Sequence, residues 1–462
     1  MKKAKKILLG IAGFLVLSLV GGYFYMLPTF KVATGYTAKA VCSYHFLTGQ
    51  NLDAILAELP SNPLVPFLRP QVDEVKSEAT VTLWGWAAKQ KAILRPGLGC
   101  TLLAGKGPFE TRAAVMPPTV SLDSNQPWPL GDAVTAEKSP ILEAVLDKWF
   151  QDPDPSNPRR TRAILVVKDG QIIAERYGEG FNEDTLFQGW SMTKSVTNAL
   201  LGVLVEQGKL DIHSPAPVAE WQGADDPRKN ITIDQLIRMS SGLEFNEDYA
   251  NLADGVTQML YNQSDMAAYA EDKPLAGAPD TIWNYSSGTA NILSRIIRVT
   301  VGGDITDYWA FPQEALFHRV GMNSAILEPD ASGTFVGSSY MYATAHDWAR
   351  FGLLYLQDGV WNGERILPEG WVDYTRTPTP PSRGEYGGMW LLNAGEPGKP
   401  DTKEFPDLPD DIYYASGHDG QSVVIFPSQN LIVVQLSVSR GGSWNMAEFL
   451  ADVMSAVEER KK

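Results

Sequence analysis

The first 27 residues limit this chain more than any other segment. Lys2, Lys3, Lys5 and Lys6 precede a run from Ile7 to Leu27 that carries no charge. At about 1.5 Å per residue, such a run can cross a hydrocarbon core about 30 Å thick. The lysines hold their end in the cytoplasm and place the rest of the chain on the far side. This predicts an uncleaved, single-pass anchor in the inner membrane, with everything after it periplasmic. A cleaved signal peptide is the alternative. Its small-x-small site, Ala38-Lys39-Ala40, lies far beyond the apolar run. Ala40-Val41-Cys42 has the outline of a lipoprotein box, but Lys39 stands where an aliphatic residue is wanted.

Beyond the anchor the chain is ordinary globular material. Of its 462 residues, 44% are hydrophobic and 20% charged, which disfavours disorder. The net charge of −15 repels phosphate backbones, so nucleic acid is not an expected partner. Cys42 and Cys100 are the two cysteines. Both follow the anchor and would meet an oxidising compartment, where a disulfide between them is expected.

The length allows two or three units. Residues 28–115 read as a small N-terminal module, with a helix around Leu52–Leu59 and a strand-like run at Thr80–Trp86. A Pro-rich linker follows over 116–139. The main domain, 140–462, opens on a hairpin. Ala163–Val167 and Gln171–Tyr177 are β-rich and meet around Asp169-Gly170. Met192, Val196, Ala199, Leu200, Val203 and Leu204 then recur at helical spacing, and Gly208 is placed to end that helix. The stretch 209–330 reads as mostly helical. Strands return at Ile412–Ala415, Ser422–Pro427 and Leu431–Ser437, before a final helix over about Met446–Glu458. Strands at both ends with helices between predict one sheet assembled from distant segments. The expected fold class is therefore α/β (α+β), an antiparallel sheet flanked by helices plus an all-helical subdomain.

The chemistry concentrates at Ser191-Met192-Thr193-Lys194. Residues three apart on a helix share a face. A serine in the first turn also sits at the positive end of the helix dipole, which favours a developing oxyanion. Serine alone is a weak nucleophile and needs a base. A lysine desolvated in a cleft loses its preference for the charged state and can serve. Taken alone, the pattern fits an N-cap serine beside a solvated lysine equally well.

Two further segments add to it, Trp283-Asn284-Tyr285-Ser286-Ser287-Gly288 and Ser416-Gly417-His418-Asp419-Gly420-Gln421. Together with Ser191-x-x-Lys194, their order resembles the class C β-lactamase and penicillin-recognising serine enzyme superfamily over roughly residues 140–460. Met239-Ser-Ser-Gly-Leu243, and the run from Tyr342 through His346 and Arg350 to Trp361-Asn-Gly-Glu-Arg-Ile-Leu-Pro, resemble the 6-aminohexanoate-dimer hydrolase and carboxylesterase branch. The resemblance implies a β-lactamase/transpeptidase-like fold. It implies Ser191 as nucleophile, with Lys194 and Tyr285 sharing proton transfer. His418-Asp419-Gly420 would line the cleft from an edge strand, and the N–H groups of Ser191 and Gln421 would form the oxyanion hole. Ser287 stands where β-lactamases carry asparagine, and His418 where they carry lysine. Without that lysine, no fixed charge grips a substrate carboxylate.

The expected substrate is thus a small ester or amide. The alternative is a penicillin-binding or D-amino-peptide enzyme, a sensor or peptidase that acylates and turns over slowly. No Gly-x-Ser-x-Gly elbow is present. His45, His213, His318, His346 and His418 show no metal spacing. Neither a metal nor a cofactor is expected.

Overall fold

Strands buried on both faces carry almost no polar positions, and three segments here are of that kind. In the computed structural model, which describes residues 2–60, 62–123, 125–134 and 139–460, they form the middle of a six-stranded antiparallel sheet. The strands of the main domain are β5 (Thr161–Lys168), β6 (Gln171–Tyr177), β7 (Leu391–Leu392), β8 (Tyr413–Gly417), β9 (Gln421–Phe426) and β10 (Leu431–Ser437). Their order is β7-β8-β9-β10-β5-β6. Val424 faces Val433, and Val434 faces Leu165, so the two ends of the domain meet in register. The hairpin expected at Asp169-Gly170 is β5–β6.

Alternate residues point to opposite faces of the sheet. Ile164, Val166, Val424 and Val433 pack against the helices at Pro140–Phe150 and Met446–Glu459, through Leu142, Trp149, Phe449 and Val453. Leu165, Val167, Val423 and Ile432 face the other layer. That layer includes the helices Met192–Glu206 and Ala345–Leu356. A Cβ on Gly352 would lie 2.8 Å from Val423 and 3.1 Å from Ile432, so the second helix rests directly on the strands. The region 209–330 is largely helical, with helices at Gly255–Asn262, Met266–Glu271 and Ser287–Val301 among others.

The N-terminal part departs from the expected boundaries. Helix α1 runs from Lys2 to Thr48 with Pro28 inside it, so nothing breaks the chain at residue 27. Its apolar span is exposed, whereas Val32, Ala38, Val41 and Cys42 are buried. Those residues pack on a four-stranded antiparallel sheet, β1 (Leu68–Asp73), β2 (Glu78–Leu83), β3 (Ala87–Arg95) and β4 (Gly99–Leu102), in sequence order. Only β2 was expected. Pro70 lies in β1, an edge strand, which is where a proline is tolerated. This sheet, the buried half of α1 and the main domain share one apolar core. The linker is pinned too. Arg350 donates to the carbonyls of Pro129 (3.1 Å) and Gly131 (2.8 Å). Residues 124 and 135–138 of that linker lie outside the described residues.

Cys42 of α1 is joined to Cys100 of β4, with Cα atoms 6.0 Å apart and a sequence separation of 58. Closing a loop of that length stabilises a fold by about 2–4 kcal/mol. Reduction should therefore lower the thermal midpoint measurably in a melt with and without dithiothreitol. Free thiols at both positions in protein from the native host would contradict the pairing.

Candidate active site

The approach to Ser191 is a tight, strained turn. A Cβ on Gly189 would lie 2.4 Å from the Trp348 ring, so only glycine fits. Trp190 follows at φ 49°, a left-handed conformation that a bulky residue adopts only when its surroundings impose it. Ser191 then caps the helix Met192–Glu206.

Lys194 lies one turn further on and is 1% exposed. Its Nζ is 2.9 Å from Ser191 Oγ, 3.0 Å from Ser287 Oγ and 3.2 Å from the Ser338 carbonyl. An ammonium has three N–H donors, and these three oxygens match them. The same nitrogen sits over the face of Tyr285, 4.7 Å from the ring centroid. Tyr285 is thus beside the lysine, but among the described residues no hydrogen bond joins its hydroxyl to Lys194 or Ser191.

Ser287 opens the helix Ser287–Val301. Its N–H donates to Glu247 Oε2 at 2.8 Å and its hydroxyl to Glu247 Oε1 at 2.5 Å. Burial raises the Glu247 pKa, against the pull of Lys194 and the two Ser287 hydrogen bonds. A continuous line of polar atoms therefore runs from Ser191 through Lys194 and Ser287 to Glu247. Nothing in Asn246-Glu247-Asp248 marks this carboxylate in the sequence, since such a run normally reads as a solvated loop.

The third motif is placed differently from the expectation. Ala415 and Ser416, on β8, line the recess that holds Ser191, Lys194 and Tyr285. A Cβ on Gly417 would lie 2.1 Å from the Gly189 carbonyl, so the end of β8 abuts the turn that carries Ser191. His418-Asp419-Gly420 are the turn between β8 and β9, not an edge strand, with Asp419 at φ 62° and Gly420 at φ 85°. Three-residue hairpin loops favour glycine at such a position. Gly420 and Gln421 face β10 instead of the recess. The Gly420 carbonyl accepts from Ser437 Oγ at 2.9 Å, and Gln421 Nε2 donates to the Ser437 carbonyl at 2.5 Å.

His418 is held by rings. It stacks on Tyr249 at 4.8 Å and meets Trp190 edge-on at 5.5 Å. Its Nε2 is 3.3 Å from Asp419, which is itself bound by Arg440 at 2.6 Å. Burial lowers the His418 pKa below its ordinary value, so the imidazole is neutral at pH 7.

The chain is 25% identical over 248 residues to a 6-aminohexanoate-dimer hydrolase of Paenarthrobacter ureafaciens, covering 52% of this chain and 60% of that protein. It is 25% identical over 215 residues to esterase EstB of Burkholderia gladioli, covering 42% and 50%. The chain thus spans little more than half the length of these curated relatives. Among solved structures, an octameric penicillin-binding protein homologue from Pyrococcus abyssi superposes with a TM-score of 0.51 at 18% identity, covering 69% of this chain and 76% of that one. That likeness speaks for the fold alone. The family described as Beta-lactamase matches residues 146–451, which hold Ser191, Lys194, Tyr285 and both halves of the large sheet. With more than half of its length matched, the chain belongs to the beta-lactamase family.

Proposed function

We propose that this β-lactamase-fold hydrolase cleaves ester or linear amide bonds through an acyl-enzyme on Ser191. The observation that carries the reading is the 2.9 Å contact between Lys194 Nζ and Ser191 Oγ at a helix start. For Lys194 to act as base its amine must be neutral. Ser287 offers the route, accepting a proton from the ammonium while passing its own to Glu247. The neutral amine then takes the Ser191 proton as Oγ attacks the carbonyl carbon. The Ser191 N–H, with no acceptor among the described residues, is free to donate to the oxyanion. The Lys194 ammonium then returns that proton to the leaving group through the Tyr285 phenol beside it, which gives up its own proton and takes the ammonium's. The anchor reading extends this. The span in α1 holds the enzyme in the inner membrane with the active site outside the cytoplasm. The buried state of Ala38, Lys39 and Ala40 supports retention of that helix.

The test is a labelling and substrate panel on the purified protein. A fluorophosphonate probe should label the wild type and leave Ser191→Ala unlabelled, while labelling of that variant would sink the assignment. A burst of product without turnover would favour the acylated sensor.

Within the panel, short-chain nitrophenyl esters should exceed a chromogenic cephalosporin in kcat/KM. Neutral His418 supplies no charge for the cephalosporin carboxylate. A lost charge-assisted hydrogen bond costs about 1.5–3 kcal/mol, or roughly 10- to 150-fold. A cephalosporin turned over faster than every ester would overturn this. Ser287→Asn, a change toward the β-lactamase residue, should lower ester turnover here because it removes the hydroxyl between Lys194 and Glu247.

A further inference from the structure

Two spaces of very different size are lined by neighbouring residues of one turn, the smaller by Ser191 and the larger by Trp190. The recess around Ser191, Tyr285 and Tyr414 holds about 10 Å³. Trp190 and His418 line a separate cavity of about 620 Å³. That is the size of a pocket for a whole ligand, and nothing in the mechanism above uses it. It is lined by Trp190, Tyr249 and His418, by Val32, Ala33 and Tyr36 of α1, and by Leu64 and Val65. Most of this lining is apolar.

The position of the α1 wall identifies the occupant. At about 1.5 Å per residue, Ala33 lies about 9 Å past Leu27, where the uncharged span ends. Around this level aromatic side chains gather on the outside of the protein. The β2–β3 turn carries Trp84 (41% exposed) and Trp86 (71% exposed). Trp86 stacks on Tyr23 at 6.1 Å, and Trp84 meets Phe30 at 5.6 Å and Phe67 at 6.4 Å. Trp84 N–H also donates to the Phe67 carbonyl at 2.9 Å, tying this turn to the segment that walls the cavity. Tryptophan and tyrosine beside a spanning helix settle at the membrane–water interface. The α1 wall of the cavity is therefore next to lipid, and another part of its wall is Trp190, the chain neighbour of Ser191.

We propose that the substrate is an amphiphilic ester with a long acyl chain, drawn from the bilayer. Its chain fills the cavity between α1 and His418, and its carbonyl lies at Ser191. This rests on Ser191 being the nucleophile and on α1 spanning the membrane.

The full-length protein, reconstituted in 3:1 phosphatidylethanolamine:phosphatidylglycerol vesicles, tests it with 4-nitrophenyl butyrate and 4-nitrophenyl laurate. The laurate should be preferred at least tenfold in kcat/KM. Ala33→Trp, which puts an indole into the cavity, should cut the laurate-to-butyrate ratio at least tenfold. Val65→Phe does so from the opposite wall if Ala33→Trp does not fold. A ratio that ignores both substitutions, or a wild type that prefers butyrate, overturns the proposal. The Trp84→Ser/Trp86→Ser variant separates the sources. Its laurate hydrolysis should fall at least fivefold from vesicles relative to laurate delivered on cyclodextrin. An equal rate from both means that the chain arrives from solution, and the bilayer route is wrong. Failure of the nucleophile reading looks different, because Ser191→Ala would then still hydrolyse the butyrate.

Discussion

Lys194→Ala should lower kcat on a nitrophenyl ester by about three to six orders of magnitude, with the protein still folded. The argument is geometric. Lys194 Nζ is the basic atom within hydrogen-bonding reach of Ser191 Oγ, and its other contacts, Ser287 Oγ and the Ser338 carbonyl, hold it in place. The fold should survive, because Ser287 keeps its bonds to Glu247, and Glu247, whose pKa burial already raises, can take up a proton once the ammonium is gone. Near-ultraviolet circular dichroism checks that point. Tyr285→Phe is the companion variant. It keeps the ring over which the ammonium sits and deletes only the hydroxyl. A role in proton transfer predicts a loss of about 10²–10⁴ in kcat. Near-full activity would show that the ring positions Lys194 while the proton travels through Ser287 and Glu247 alone. In that event Glu247→Gln should carry the larger loss, read as a pH-rate profile displaced from that of the wild type.

Much of this site was legible in the sequence where chemistry is carried by neighbours along one element. Ser191 and Lys194 belong to one helix turn, and the apolar period that follows them announces that helix. The Asp169-Gly170 hairpin and the apolar runs at Ser422–Pro427 and Leu431–Ser437 likewise follow local rules. What depends on packing between distant segments was not visible. Glu247 reaches Ser287 across 40 residues. The third motif was read one turn too late. Its Gly-His-Asp-Gly punctuation is conspicuous, but a β-turn and the strand before it look alike until the register Gly417–Gln421 is known. At the other end, the boundary at Leu27 followed hydropathy, and the neighbouring Pro28 is a residue that ordinarily ends a helix. The helix continues because its next turns are buried on a sheet that the sequence hardly showed.

Those buried turns predict the second large effect. Lys39, inside α1, is ion-paired with Glu328, 289 residues away, and both side chains are almost wholly excluded from solvent. Glu328 also accepts from Ser43 Oγ at 2.9 Å and from the Cys100 N–H at 2.6 Å. Lys39 in turn lies 4.2 Å from the centre of the Tyr340 ring. Removing one member of such a pair leaves the other charge buried without a partner, at a cost of about 3–5 kcal/mol. Glu328→Ala should therefore destabilise the protein by that amount in a denaturant titration in detergent. Lys39→Met combined with Glu328→Leu should be less damaging than the single change, because no charge is stranded. Recovery should stay incomplete, since Ser43 and Cys100 still lose their acceptor. The effect should also reach the active site. The Val336 N–H donates to the Glu328 carbonyl, and the Glu328 N–H to that of Tyr340. Between them lies Ser338, whose carbonyl holds Lys194. A Glu328→Ala protein that loses less than about 1 kcal/mol and keeps full ester turnover would mean that α1 is a passenger on the main domain. A loss of both ties α1 to the position of Lys194.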